Sequence, residues 1–398
     1  MNLVYTDEQE MLIDKIKHWF MHDTSQKPYF SYSGPAGSGK TSVIQEVINQ
    51  LGLSSINNDY IACAYVGKAV LNLLQHGIVA KTIHSLIYYP TRVKDIIIDE
   101  YGNEKKKYKM EFILKDALEH PYKLIIVDEA TMVNDEMVRE LLSFHIPIVF
   151  IGDMNQLPPV FGISSVMKYP DFTLTKIMRQ AEDDPIVRLS QMVLHDEPIE
   201  YGDYGLSSVV ESYEITDKIL TDFDQIICGK NKTRDEINNT IRKDILGRRS
   251  DSPSLGDKII CRQNNWDTSV NGIYLTNGLI GDIVDISRST ASRGYYNICF
   301  EPDFMDECFS DVKMDIKYIM ANHEARKKWG MSKYEKFEYG YAITVHLSQG
   351  SEYPRVLLID EYFGDEDFMR RLRYTGITRA KKSICIQYNK PTRSYWYY

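Results

Sequence analysis

The sequence predicts an α/β protein built from two parallel-sheet lobes, and three observations carry that expectation. Apolar, strand-like runs alternate with helical periodicity from Tyr29 onward, as βαβ units require. A glycine-rich loop, Gly34-Pro35-Ala36-Gly37-Ser38-Gly39-Lys40-Thr41, joins the run Tyr29 to Tyr32 to a helix-like stretch, Ser42 to Leu51. The alternation then resumes near Gln225 to Cys228, again with a strand ending in glycine. At 398 residues the chain is too long for one compact core.

The loop has the GxxxxGK[ST] pattern in the context that gives the pattern meaning. Its glycines let backbone N–H groups turn inward around a polyphosphate, and the helix N-terminus adds its positive dipole end. Lys40 can then reach the β and γ phosphates, and the Thr41 hydroxyl can ligate Mg²⁺. A second strand, Leu124 to Val127, runs into Asp128-Glu129-Ala130, a carboxylate pair at a strand end. After such a loop, Asp128 is expected to hold Mg²⁺ and Glu129 to polarise an attacking water. A third, Ile148 to Ile151, leads into Gly152-Asp153-Met154-Asn155-Gln156-Leu157-Pro158-Pro159, where Gln156 could sense a γ phosphate. Arg179, in Leu174 to Gln180, is a candidate arginine finger.

Composition narrows the class. Hydrophobic residues make up 43% of the chain, so a globular protein is expected rather than a disordered one. No run of eighteen apolar residues occurs, and MNLVYTDEQE has no basic segment before an apolar one, so neither a membrane span nor an export signal is expected. The six cysteines are scattered without a CxxC pair, which reads as reduced, structural thiols in a cytoplasm. A net charge of −9 argues against a surface coated by nucleic acid, but not against a local channel of suitable chemistry.

The remaining segments fill the frame in order. Thr6 and Gln9 form a capping-box pattern ahead of a helical stretch; alternatively, the Gln9 carboxamide could read an adenine edge. Gly67 and Lys68 follow the strand Ile61 to Tyr65 at a carboxyl end, where parallel sheets bind ligands. Residues 86 to 121 break the alternation. Val93 to Asp99, the turn residues Tyr101-Gly102-Asn103 and the basic return Lys105-Lys106-Lys107-Tyr108 predict a hairpin or a small inserted subdomain. The helix Thr233 to Leu246 repeats Ile237, Ile241 and Ile245. Turn signals such as Asn271-Gly272 and Asn277-Gly278 between short β-branched runs over 255 to 300 predict a small β-barrel. The lobe then resumes with Tyr341 to Gly350, a strand Val356 to Ile359, a basic helix Asp367 to Gly376, and a last strand Ile384 to Tyr388.

Taken together, the chain resembles the superfamily 1 helicases, subclass B, of the Dda and RecD group. Eight motifs carry the resemblance in order: TDEQ at Thr6, GPAGSGKT at Gly34, TIHSL at Thr82, VDEA at Val127, GDMNQLPPV at Gly152, LTKIMRQ at Leu174, TVHLSQGSE at Thr344 and YTGITRA at Tyr374. The resemblance implies two RecA-like lobes with ATP and Mg²⁺ between them. Lys40, Thr41, Asp128, Glu129 and Gln156 would come from the first lobe. Arg379, helped by Arg179, would stabilise charge on the transferring γ-phosphoryl group, and Gly350 and Glu352 would approach the nucleotide from the second. Thr82, His84, Thr344 and His346 match positions that line a single-strand track, where hydroxyls and imidazoles can donate to phosphates without reading sequence.

The family divisions place the first lobe at 1–85 and 122–180 and the second at 181–254 and 335–398. The hairpin at 86–121 falls where the family inserts a strand-separating pin, and 255–334 where it inserts an SH3-like subdomain. The implied activity is ATP-dependent unwinding of DNA with movement 5′ to 3′, by a monomer acting on single-stranded and fork DNA in phage replication or recombination. It would work in the cytoplasm, the host's if phage-encoded, with a single-strand-binding or replisome protein as a further partner and no membrane. Two rivals remain open: an RNA helicase of the same superfamily, and a P-loop ATPase that remodels protein complexes.

Overall fold

The computed structural model describes residues 4–98, 104–158, 164–176, 184–211, 219–248, 250–270, 273–303, 305, 307–330 and 332–388, with backbone only at 92–98, 104–110 and 266. Arg179, Pro159, Tyr101, Gly102, Asn103, Asn271 and Gly272 lie outside the described residues.

The first sheet is entirely parallel. Its strands are β1 (Tyr29–Ser33), β2 (Tyr60–Ala64), β3 (Ala80–Thr82), β6 (Leu124–Asp128), β7 (Ile148–Gly152) and β8 (Phe172–Thr173), in the spatial order β3-β2-β6-β7-β1-β8. β6 and β7 are almost wholly buried, as a sheet covered on both faces requires. Between β3 and β6 the chain leaves this sheet as an antiparallel pair, β4 (Tyr88–Ile98) and β5 (Glu104–Leu114), in unbroken register from Tyr88↔Leu114 to Ile98↔Glu104. The hairpin thus begins at Tyr88, five residues before the strand expected from sequence. Its root is fixed by the Lys115 N–H on the Ile87 carbonyl.

The second six-stranded sheet comprises β9 (Gly202–Tyr204), β10 (Ser207–Val210), β11 (Gln225–Cys228), β19 (Ala342–Thr344), β20 (Tyr353–Ile359) and β21 (Ala380–Gln387). Its order is β19-β11-β20-β21-β10-β9, parallel except for the edge strand β9.

A third, antiparallel sheet is inserted between β11 and β19. It holds β12 (Lys258–Cys261), β15 (Ile280–Ser287), β16 (Tyr295–Pro302), β17 (Phe309–Asp315) and β18 (Phe337–Tyr339), with a separate ribbon of β13 (Asn265–Val270) and β14 (Ile273–Leu275). Because β18 pairs with β12, this sheet extends past residue 334 to Tyr339. Its core, around Phe300, Phe309 and Phe337, also takes in Leu71 from the first lobe's helix Gly67–Gln75.

Two expectations change here. Cys299 and Cys308 form a disulfide, so not all six thiols are free; the antiparallel pairing of β16 with β17 brings their Cα atoms to 5.9 Å despite a spacing of nine. Cys63, Cys228, Cys261 and Cys385 are free and buried, as structural thiols should be. The helix expected over Thr233 to Leu246 is α-helical over Asn231–Thr240 and continues as a π-turn at Ile241–Ile245. Its most buried face is polar: Arg234, Asn238 and Arg242 are 3%, 5% and 1% exposed. Among the described residues no helix is long and apolar enough to cross a membrane.

Candidate functional site

Strand order assembles the site. β6, β7 and β1 are neighbours, so the segments leaving their carboxyl ends lie side by side: Asp128-Glu129, Asp153 to Gln156, and the glycine loop. The second lobe answers with the amino ends of two adjacent strands, placing Gly350 to Glu352 before β20 and Arg379 before β21. Together they line a cavity of about 320 Å³ to which the first lobe gives Gly37, Gly39, Lys40, Thr41, Asp128, Glu129 and Gln156, and the second Gly350, Glu352 and Arg379.

The loop owes its shape to its glycines. Gly37 and Gly39 both sit at φ 79°, a region that costs other L-residues energy. A Cβ at Gly34 would fall 2.5 Å from Ser38 Oγ. Ser38 is buried, and its hydroxyl has no hydrogen-bond partner among the described residues. The Lys40 ammonium donates to the carbonyls of Gly34 (2.8 Å) and Pro35 (3.1 Å), and Lys40 opens the helix Lys40–Gln50. Gln9 forms the capping box with Thr6, and its Nε2 donates to the Ser38 carbonyl at 2.9 Å. Its carboxamide therefore braces the loop from behind, outside the residues that line the cavity.

The acidic pair has the environment of a working site. Burial raises the Asp128 carboxyl above its ordinary range. Burial and the neighbouring Asp128 charge push Glu129 up to about 7, against the opposing pull of Arg379 and Lys40. Glu129 also adopts φ 49°, a left-handed conformation rare outside glycine and a form of strain that clusters at functional sites. The Arg379 guanidinium is 4% exposed and donates to the Thr375 and Ser351 carbonyls and to Thr378 Oγ1. Glu352 pairs with Lys381 at 2.9 Å. Gly350 at φ 70° lies so close to the first lobe that a Cβ would meet Val66 Cγ2 at 2.6 Å. Gln156 is 5% exposed with its Oε1 unpartnered among the described residues. Gln156 also lines a second cavity of about 520 Å³, shared with Thr131, Met154, Met167, Phe368 and Arg371.

The residues expected on a strand track divide into two groups. Thr82 ends β3 and Thr344 ends β19, the outermost strands of their respective sheets. Each caps a short helix, Ile83–Ile87 or Val345–Ser348, and each is followed two residues later by a histidine. The two lobes therefore repeat one local design. His84 packs among Tyr65, Tyr88 and Phe112 with ring centroids 5.1–5.6 Å away, and His346 stacks on Phe368 at 6.2 Å. Burial lowers the pKa of both imidazoles.

Gly67 and Lys68 have surroundings that the sequence did not suggest. They lie at a buried junction where Thr276, just after β14, and Tyr353 of the second sheet meet the first lobe. A Cβ at Gly67 would fall 2.2 Å from Thr276 Oγ1, and the Lys68 ammonium sits 4.0 Å from the centre of the Tyr353 ring. The strand-end rule places them correctly in the first sheet but is blind to what another sheet stacks on top.

Sequence reasoning passed over Asn72 and His76, which also line the cleft from the helix Gly67–Gln75. It also gave no role to Asp153 or Tyr374, although both lie in motifs it used. Asp153 is fully buried, and the Tyr374 hydroxyl donates to its Oδ2 at 2.6 Å. The same hydroxyl accepts from the Ala36 N–H at 3.0 Å. A tyrosine five residues ahead of Arg379, on the helix that ends just before it, was the available signal.

A glycine loop, a strand-end carboxylate pair and an arginine from a facing parallel sheet define a two-lobed P-loop protein. Known proteins agree. An AAA domain family model matches residues 20–162, and a UvrD-like helicase C-terminal domain model matches 339–386. The ATP-dependent RecD2 DNA helicase of Deinococcus radiodurans is 25% identical over 88% of this chain, which spans only 45% of that protein. The ATP-dependent DNA helicase dda of Enterobacteria phage T4 is 23% identical over 90% of this chain and 94% of its own length. A Pif1 helicase structure, solved in work on unwinding of forked duplex DNA, aligns over 97% of this chain and 92% of its own with TM-score 0.56 and 17% identity, a likeness of fold. The chain is a homologue of the RecD2 and Dda proteins, and the resemblance to superfamily 1, subclass B, stands.

Proposed function

We propose that this chain is an ATP-dependent DNA helicase that moves 5′ to 3′ along single-stranded DNA and separates duplex with the β4–β5 hairpin, in phage replication or recombination. The observation that carries the reading is the composition of the cleft: the phosphate loop and Glu129 on one lobe face Arg379 on the other. Turnover at such a site is tied to the relative position of the lobes, which is what a motor needs. The relatives' printed activities, and the fork DNA of the Pif1 work, support DNA as the substrate.

The residues present fit a magnesium nucleotide. Thr41 and Asp128 would hold the ion, which supplies charge neutralisation of the phosphates. The loop amides and Lys40 bind the phosphates, Glu129 orients and polarises water, Gln156 offers its Oε1, unpartnered among the described residues, and Arg379 stabilises charge from across the cleft, with Arg179 as a second candidate. Thr82, His84, Thr344 and His346 hold the strand, one pair on each lobe. The hairpin root packs on His84 through Tyr88 and Phe112, so this grip and the hairpin form one body.

The test is single-turnover unwinding of a short duplex bearing either a 5′ or a 3′ single-stranded DNA tail, with ATP and Mg²⁺. Opening of the 5′-tailed duplex alone is expected, and Lys40→Ala should abolish it together with ATP hydrolysis. Opening of the 3′-tailed duplex alone would discard the polarity and keep the helicase. ATP turnover stimulated by RNA but not DNA would replace the substrate, and no stimulation by either would favour a protein-remodelling ATPase.

A further inference from the structure

The helix Glu366–Ile377 belongs to the second lobe, yet one face of it is bonded to the first. Arg371 donates to the Met154 carbonyl at 2.6 Å, and Thr375 Oγ1 accepts from the Leu157 N–H at 3.0 Å. Between them, Tyr374 is fully buried, and its hydroxyl makes the two bonds already described, to Asp153 and to the Ala36 N–H. Burial and the Asp153 carboxylate hold this phenol well above its ordinary range, so it stays protonated and donates to Asp153.

Asp153 passes the contact on. Its Oδ1 accepts from the Asn155 N–H at 3.0 Å and its carbonyl from the Gln156 N–H at 3.1 Å. One oxygen atom from the second lobe therefore touches both the phosphate loop and the turn that aims Gln156 into the cleft. We propose that Tyr374 is a positioning residue for ATP hydrolysis, fixing the Gln156 turn relative to the phosphate loop from the opposite lobe. This rests on the helicase reading for its nucleotide but not for its nucleic acid. Within the first lobe the Gly34 N–H donates to the Gly152 carbonyl at 3.2 Å and the Met154 N–H to Ser33 Oγ at 3.1 Å, so the base of the loop and the start of the turn are already joined. Tyr374 adds the contact farther along each, at Ala36 and Asp153, where Arg371 and Thr375 do not reach the loop.

The experiment is Tyr374→Phe, which removes the hydroxyl and keeps the ring. Turnover number should fall by roughly tenfold or more, since sub-ångström misplacement of a reacting group is costly, while KM for ATP and Kd for a fluorescent ADP change less than about threefold. On a Gln156→Ala background the same substitution should cause no further loss, because residues acting through one another are not additive. An unchanged turnover number, an equal loss on both backgrounds, or ADP affinity falling in step with turnover would overturn the proposal. Should Tyr374→Phe fail to fold, Asp153→Asn interrogates the same bond from the other side under the same criteria. A wild-type chain that hydrolyses ATP without nucleic-acid stimulation would sink the helicase reading and still test the tyrosine. A chain that binds no nucleotide would overturn both.

Discussion

Lys68 carries its ammonium into a junction where burial opposes the charge. Its pKa is lowered from the usual 10.5 to about 8, chiefly by desolvation; Asp303 and Glu352 favour the charge, and Lys258 and Lys381 oppose it. The Tyr353 ring face offsets part of the cost. Between pH 8 and 10.5 the unfolded chain holds more protons here than the folded one, so the stability of the wild type rises through that window. Below pH 8 the full penalty applies. Lys68→Met should therefore stabilise the protein at pH 7 by on the order of 2 kcal/mol, with the gain vanishing near pH 10.5, as read by urea unfolding at both pH values. A gain that does not depend on pH would assign it to packing rather than charge. The shape of the phosphate loop, by contrast, was legible to the residue, because Gly37, Gly39 and Lys40 are placed by local backbone geometry. Lys68 was not, since Tyr353 reaches it, and Thr276 its neighbour Gly67, from far along the chain.

At the scale of elements, the hairpin is a two-stranded sheet of its own, packed at its root on His84. β4 and β5 pair only with each other, and their root is anchored by Lys115, whose Nζ donates to the Ser85 carbonyl at 3.0 Å. Deleting residues 93 to 113 should leave ATP turnover stimulated by single strands within about threefold of wild type and remove unwinding of the 5′-tailed duplex, provided circular dichroism shows a folded remainder. Retained unwinding would show that another element parts the strands. The turn residues and the basic return made this hairpin visible in sequence. The helix Asn231–Thr240 shows the opposite case. Ile237, Ile241 and Ile245 share one spacing, and Arg234, Asn238 and Arg242 share the same spacing on an adjacent face. Periodicity favours the isoleucines. The polar face is the more buried because Glu338 and Asp257 meet Arg234 and Arg242 at 2.8 and 3.0 Å, and those partners come from the third sheet and the segment leading into it. The disulfide was hidden for another reason: it follows from the antiparallel pairing of the consecutive strands β16 and β17, which a spacing of nine does not announce.

For the whole molecule, two parallel sheets were legible because buried strands announce themselves as apolar runs. That Thr82 and Thr344 occupy matching edge positions was not, since strand order is a non-local property. That repetition sets the last prediction. The body is acidic, with net charge −9, and the four side chains proposed to hold the strand are two hydroxyls and two imidazoles whose pKa values burial lowers. At neutral pH these groups bind phosphates by hydrogen bonding and displace few counterions. For a single strand, log K falls with log salt at about 0.7 per phosphate neutralised by a cation, so a grip of this kind should show a slope no steeper than about −2. Fluorescence anisotropy of a labelled oligothymidylate between roughly 50 and 300 mM salt measures it directly. Adding Thr82→Ala to Thr344→Ala should then weaken binding while leaving the slope unchanged, because neither hydroxyl releases an ion. A slope steeper than about −4 would mean that lysines and arginines hold the backbone, and would move the track away from the paired sheet edges.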